Sequence, residues 1–295
     1  MYPLLRFLVR GQRIDRRILY LLLMTVIALP FVIEIPTPPP AILPETYAFY
    51  RTIEEMAADP VRRNKLVILC TNYGAGTLAE NQTQADAIAR HLMKNRLRFA
   101  IFAFNAPQGR EQGKIAAERS ADRYGYQYGV DYVNWGYRPP DAIEPLLKAA
   151  VRDIPDAVGN DINGVPLEQI PVMQGIQTVN DVGLIIEVAA ANTLPQWLQY
   201  FQRTGENPVP TLYAPTSVMA PEGFPFLKSG QLQGMLFGLR GANEYEVLIG
   251  ERDFGKRGAA SLAYSHLLII LLVVLGNIGM FAQQRMERLY REGNL

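Results

Sequence analysis

The stretch that decides the fold is Lys65-Leu-Val-Ile-Leu-Cys70, followed at once by Thr71-Asn-Tyr-Gly-Ala-Gly-Thr77. A short apolar run that opens into a glycine-containing turn and then a helix is typical of a buried central strand of an α/β sheet. We therefore expect residues 65–70 to be the first strand of a folded domain.

Strand-like and helical patterns alternate after this run. Such alternation predicts an open, doubly wound, mainly parallel sheet of about five strands. The further strands are predicted at 98–104, 130–134, 182–188 and 211–214, with 231–239 as an optional last strand, and the helices at 80–95, 112–124, 141–151, 193–203 and 223–228.

Composition limits the possible functions. The chain has 295 residues and a net charge of +1. It therefore lacks the excess of positive charge that would indicate a nucleic-acid partner. Residues 45–254 form one stretch long enough for a single α/β domain with its own core. Cys70 is the only cysteine, which excludes an intramolecular disulfide and a thiolate metal cage; we interpret it as a packing residue rather than a reactive thiol.

The segment before the domain has the pattern of a membrane anchor. Residues 1–17 interleave apolar residues with five arginines and predict a basic amphipathic segment on the cytoplasmic lipid surface. Residues 18–35 are almost wholly apolar and would rise about 27 Å as a helix, which predicts a first transmembrane helix. A cleaved signal peptide is the alternative, but no small-residue cleavage pattern follows. Residues 36–44 contain five prolines and predict a stiff spacer.

A second span is predicted at residues 262–282, which carry no charge and are followed by a cytoplasmic tail at 283–295 with three arginines. Short flanks rich in arginine stay in the cytoplasm. We therefore expect both termini inside and the domain outside a bacterial-type inner or plasma membrane, although Arg252, Lys256 and Arg257 before the second span oppose this orientation.

Gly74-Ala-Gly-Thr-Leu-Ala79 matches the G-x-G-x-x-A form of the dinucleotide fingerprint. The first glycine lies four residues past Cys70, and no acid follows the second predicted strand at Asn105 to hold a ribose. We therefore expect no cofactor here, and a glycine turn that either shapes a pocket or only joins two elements is the preferred interpretation.

The two histidines restrict the possible chemistry. We expect His91 on the surface of a helix and His266 at the outer end of the second span. Neither position suits a Ser-His-Asp relay, and two histidines cannot form a histidine-rich metal site, so no metal site is predicted.

The carboxyl ends of the predicted strands are the candidate binding site, because ligands of open α/β sheets bind in that crevice. The side chains there are mostly neutral hydrogen-bonding groups with one carboxylate, which suits a small polar or amine-bearing ligand. Alternatively, the same residues only cap helices and turns. The candidate ligand-binding residues are Asn72, Tyr73, Asn105, Asn134, Glu187 and Thr216.

Two further groups are candidates for contacts with other proteins. Phe224, Phe226 and Phe237 lie in a stretch rich in glycine and proline and either form a contact surface or close the core. Gly276 and Gly279 place small residues on one face of the second span, which favours helix association.

These patterns leave three functional hypotheses. The first is a non-catalytic two-span membrane protein whose outward α/β domain is a scaffolding or interaction subunit of a larger membrane assembly, with lipid, other subunits or a second copy as partners. The second is an extracytoplasmic sensor or binding component for a small polar ligand. The third is an enzyme in which Glu187 works with Asp131 or Asp181 as acid and base.

Overall fold

A computed structural model describes residues 14–33, 35, 37–202, 208–251 and 253–291. It divides into a domain, Pro40–Gly255, and a terminal unit formed by Met1–Pro39 and Lys256–Leu295. Most of the predicted amphipathic segment 1–17 and the last residues of the predicted tail, 292–295, lie outside the described residues.

The domain contains one parallel sheet of six strands. The strands are β1 (Leu66–Asn72), β2 (Phe99–Ala103), β3 (Tyr132–Tyr137), β4 (Val182–Ala189), β5 (Thr211–Pro215) and β6 (Gly234–Met235). Their order in the sheet is β3-β2-β1-β4-β5-β6. The predicted α/β class and parallel sheet are confirmed, and the predicted count of about five strands is one too low.

Strand β1 lies in the middle of the sheet, between β2 and β4, and all seven of its residues are buried. A strand covered on both faces needs a continuous apolar run, which residues 66–70 supply. The chain leaves β1 toward β2 on one side and later returns to β4 on the other. The order of the strands therefore reverses between β1 and β4, and in such folds ligands bind at this position.

Helices cover both faces of the sheet. The domain helices are α2 (Pro44–Ala58), α3 (Leu78–Lys94), α4 (Gly109–Tyr124), α5 (Pro140–Ala150), α6 (Ile154–Val158), α7 (Leu194–Phe201), α8 (Ala220–Lys228) and α9 (Gly238–Leu248). The core on one face contains residues of α2, α3, α4 and α9, and the core on the other face contains residues of α5, α6 and α7.

The long connection between α5 and β4 is packed against the domain. It contains α6 and three short 3-10 turns, and Leu167, Val172 and Ile176 are buried in the core with α5 and α7. Its Ile162 amide also donates to the Asn134 carbonyl at the outer strand β3. This connection therefore covers one edge of the sheet.

The predicted strand 231–239 is mostly wrong. Only Gly234 and Met235 pair with β5, and helix α9 begins at Gly238 (φ +51°). A side chain at position 234 would collide with the Phe49 backbone of α2, since its Cβ would lie 2.3 Å from the Phe49 amide nitrogen. The close approach of α2 fixes the place of this short strand.

The terminal unit contains helix α1 (Arg16–Val32) and most of helix α10 (Phe254–Arg291). Helix α10 has 38 residues and is the one helix in the described residues that is long and apolar enough to cross a membrane. Helix α1 has 17 residues, which include Arg16 and Arg17, and it is too short to qualify as a membrane span. The described residues therefore contain one candidate membrane helix, not the two that were predicted at 18–35 and 262–282. Within the unit, the Ser261 hydroxyl near the start of α10 donates to the Ile27 carbonyl of α1 (2.9 Å).

Candidate functional site

The predicted crevice is centred on Asn72 and Glu187, at the point where the strand order reverses. Asn72 ends β1, and Glu187 lies on β4 opposite Cys70 in the strand register. The Asn72 Nδ2 donates to Glu187 Oε1 (2.8 Å) and lies 3.2 Å from Cys70 Sγ. The sequence therefore placed Asn72 and Glu187 correctly at one edge of the sheet.

Glu187 is a fully buried carboxylate surrounded by neutral donors. The Thr193 hydroxyl donates to Oε1, and the Trp197 Nε1 donates to Oε2 (2.8 Å). In the part of the chain that the structure describes, no lysine, arginine or histidine forms an ion pair with it. The charge of Glu187 is therefore held by hydrogen bonds alone.

Burial raises the pKa of Glu187, and the hydrogen bonds from Thr193, Asn72, Cys70 and Trp197 oppose that rise. The pKa of the buried Cys70 thiol is also raised, first by burial and then by the adjacent Glu187 charge. An uncompensated buried carboxylate is costly unless its lone pairs are satisfied. This network therefore gives both carboxylate oxygens of Glu187 hydrogen-bond donors from the protein itself.

Asn72 also fixes the neighbouring loops. Its Oδ1 accepts from the amides of Phe104 (2.8 Å) and Asn105 (3.2 Å) after β2. Its carbonyl accepts from the Ala190 amide after β4. One side chain thus joins the carboxyl ends of three strands, and the crevice is filled by the protein's own groups at this point.

The other predicted ligand-binding residues do not converge on this network. Asn105 is exposed at the rim, whereas Tyr73 is buried and donates to Gln82 Oε1 (3.1 Å). Asn134 is buried, donates to the Arg110 carbonyl (2.9 Å) and accepts from a nearby amide. Thr216 is buried, and its carbonyl accepts from the first residue of α8. The structure brings together Asn72, Asn105 and Glu187 and assigns the other three to local structural contacts.

Sequence reasoning missed the two residues that close the crevice, Thr193 and Trp197. They were predicted only as members of a helix. Their spacing of four residues was the available signal, because it places two donors on one helical face directly after the strand that carries the carboxylate.

The glycine turn after β1 does not have the conformation of a dinucleotide-binding turn. Neither Gly74 nor Gly76 has a positive φ, and a 3-10 turn over Ala75–Thr77 separates β1 from α3. Asn105 follows β2, where the fingerprint requires an acid.

The carboxylates proposed for an enzyme are not brought together. Asp181 precedes β4 and Glu187 is six residues further along the same strand, so about 20 Å separates them. Asp181 accepts from the Gln177 and Thr178 amides, and Asp131 accepts from the Gln127 amide. Each aspartate therefore stabilises a turn at the amino edge of the sheet.

The prediction that His91 lies on the surface is wrong. Its ring is buried between α2 and α9, with Nε2 2.7 Å from Glu54 Oε1 and Nδ1 2.6 Å from Tyr245 Oη. Tyr50 stacks on the ring at 4.9 Å. Burial lowers the pKa of His91, while the Glu54 carboxylate opposes this shift.

A groove of about 540 Å³ lies on the outer side of α3. It is lined by Leu78, Phe254 and polar residues that include Asp86, Arg119 and Asp253. Its charges are already paired, because Arg119 bridges to Asp86 and Asp253 bridges to Arg90. Among the described residues, no group of three histidine, cysteine, aspartate or glutamate side chains is placed to hold a metal ion.

The candidate contact residues lie in two places. Phe224 is 38% exposed and contacts Phe237 at 5.5 Å between ring centres, whereas Phe226 and Phe237 are partly buried against a small core. In the terminal unit, Gly276 is exposed and Gly279 is buried. Of these five residues, Phe224 and Gly276 are exposed.

Compared with known proteins, the chain matches no protein family, no curated protein and no solved structure.

Proposed function

We propose that this protein is a non-catalytic membrane protein whose α/β domain is an interaction subunit of a larger membrane assembly. The observation that carries the proposal is the closure of the crevice by the Asn72–Glu187 network. A fold of this type normally uses that crevice for ligands, and here its central groups already bind one another.

An apolar surface beside α8 supports a protein contact. We define the α8 surface as Val218, Phe224, Phe226 and Phe237. Val218 is 85% exposed, and Phe224, six residues further along the chain, adds an exposed ring. Aromatic residues at a surface are typical of interface cores. The occupant we propose is another membrane-protein subunit or a second copy of this chain.

Two membrane helices would hold the domain in place. Helix α10 meets the length and composition of a span. Helix α1 has 17 residues but begins with Arg16 and Arg17, so its apolar part is shorter than a usual span and would require local bilayer thinning. The Ser261 bond to Ile27 joins the two helices, and arginines lie at the start of α1 and at the end of α10, which favours cytoplasmic termini. A domain tethered at both ends suits a fixed position in a complex.

The test is the size of the full-length protein after extraction in a mild detergent. We expect a species clearly larger than one chain in its micelle. Val218→Asp places a charge in the α8 surface and should reduce that size to the monomer, because burying an unpaired charge at an interface is strongly unfavourable.

Val61→Asp is the matched control, because Val61 is also highly exposed (70%) but lies between α2 and β1. It should leave the large species intact. A wild-type protein that is monomeric in mild detergent would contradict the proposal.

A second candidate function is the binding of a small polar ligand, and the groove on α3 favours it. Its volume of about 540 Å³ falls within the usual range for ligand sites. Under this alternative the site is the groove rather than the strand-end crevice. A monomeric wild-type protein would move this alternative to first place.

A further inference from the structure

A second groove lies at the C-terminal end of α10. It has a volume of about 520 Å³ and is lined by Phe281, Gln284, Arg285, Arg288 and Leu289. We call it the Arg285 groove. These positions repeat every three or four residues and therefore share one face of the helix. The groove begins at Phe281, within the last turn of the apolar stretch that ends at residue 282.

The two guanidinium groups of the groove have no acidic partner in the described part of the chain, since no ion pair includes Arg285 or Arg288. The nearest acid, Glu287, lies about 200° around the helix from Arg285. Its Oε1 accepts from Gln283 Nε2 (3.1 Å). The positive charge of the groove is therefore not neutralised by its own helix.

Stabilisation of the helix end explains only part of this pattern. Arg288 and Arg291 lie in the last turn of α10, where cations complement the helix dipole. Arg285 lies before that turn, and the dipole effect decays within it. A second cation on the same face, next to the polar Gln284, therefore needs another explanation.

We propose that the Arg285 groove binds the headgroup phosphate of an anionic phospholipid, an inference that rests on α10 crossing the membrane. Guanidinium groups bind phosphate oxygens in a bidentate manner. Gln284 supplies a further donor, and Phe281, on the side of the apolar stretch, supplies an apolar contact for the acyl chain. Basic residues at the cytoplasmic end of a span meet anionic lipid there.

The test measures binding of phosphatidylglycerol to the full-length protein in a non-ionic detergent by native mass spectrometry. Phosphatidylcholine and inorganic phosphate are the comparison ligands. Arg285→Gln with Arg288→Gln should weaken phosphatidylglycerol binding about thirtyfold, since each basic residue contributes about 1 kcal/mol near an anionic surface and about 1.4 kcal/mol is a factor of ten.

The matched control is Arg16→Gln with Arg17→Gln. It removes the same charge from the exposed start of α1, which would lie on the same side of the membrane. This control should bind phosphatidylglycerol like the wild type. If both pairs of substitutions weaken phosphatidylglycerol binding equally, the lipid is held by diffuse surface charge and not by the Arg285 groove. If inorganic phosphate binds as strongly as phosphatidylglycerol, the ligand of the groove is a soluble anion.

Alkaline extraction separates failure of the site from failure of the membrane anchor. If the protein stays in the membrane in alkali but binds no phosphatidylglycerol, the lipid site is wrong and the anchor stands. If alkali releases the protein from the membrane, α10 is not an anchor.

Discussion

At the residue scale, the main feature is a carboxylate held without a cation. Glu187 lies close to aromatic side chains, because its partner Trp197 packs against Phe102 and Phe104. Its stability depends on three neutral side chains that all donate to it and on the Cys70 thiol. Such a group specifies one arrangement of β1, β4 and α7, because any shift leaves a buried charge unsatisfied.

We predict that Glu187→Gln destabilises the domain by about 1–3 kcal/mol. The amide nitrogen of glutamine is a donor, and it must face either the Trp197 N–H or the Asn72 N–H, both of which are also donors. Burial raises the pKa of the Glu187 carboxyl group, because a buried charge is costly. The substitution removes that charge, which offsets part of the destabilisation. The measurement is denaturant unfolding of the full-length protein in detergent, followed by tryptophan fluorescence.

Glu168→Gln makes the same chemical change at an exposed position and should alter the free energy of unfolding by less than about 0.5 kcal/mol. If Glu187→Gln is as stable as this control, the network does not hold the crevice closed.

The proximity of Asn72 and Glu187 was predictable, because both follow apolar runs and parallel strands end at one edge. The closure of the crevice was not predictable. It depends on the packing of α7, which brings Thr193 and Trp197 over Glu187, and no local pattern fixes that packing.

At the scale of elements, His91 joins three helices. It lies on α3 and contacts Glu54 on α2 and Tyr245 on α9, with Lys94 and Tyr50 as its other polar neighbours. Because its pKa in the folded domain is below the unfolded value of about 6.5, the unfolded state binds more protons in the interval between the two values. The contribution of His91 to stability is therefore present above about pH 6.5 and is lost as the pH falls through the folded-state pKa.

We predict that the stability gap between the wild type and His91→Gln narrows as the pH falls below about 6.5. The difference in stability between the two proteins is the proper readout, because Glu187 is present in both. Its raised pKa makes acidification favour the folded state of both proteins, which is opposite to the effect of His91. Thermal unfolding of both proteins across this pH range measures it. A gap that stays constant or widens on acidification would show that the proton is not taken up preferentially by the unfolded state.

Helices and strands with a clear apolar period were predicted from the sequence, and their ends were not. Helix α4 begins at Gly109, three residues before the predicted start, because Gly109 lets the helix approach β1. A Cβ there would lie 1.9 Å from the Thr71 carbonyl oxygen. Helix α9 was missed because its glycines and charged residues weaken the pattern of Leu239, Ala242 and Tyr245, which form its buried face.

At the scale of the whole molecule, the two proposed contacts depend on membrane topology. The assembly proposal places the α8 surface outside, and the lipid site places the Arg285 groove inside. Both follow from the arginines that flank the two terminal helices. Helix α10 alone meets the criteria of a span among the described residues.

The most direct measurement is labelling of single cysteines with a membrane-impermeant maleimide in intact cells that express the protein. The native Cys70 is fully buried and gives a low background. Asn105→Cys lies on the exposed rim of the domain and Tyr290→Cys near the end of α10, where the native side chain is 77% exposed. We predict labelling of position 105 in intact cells and of position 290 only after the membrane is permeabilised. Labelling of position 290 in intact cells, or protection of position 105, would contradict the account.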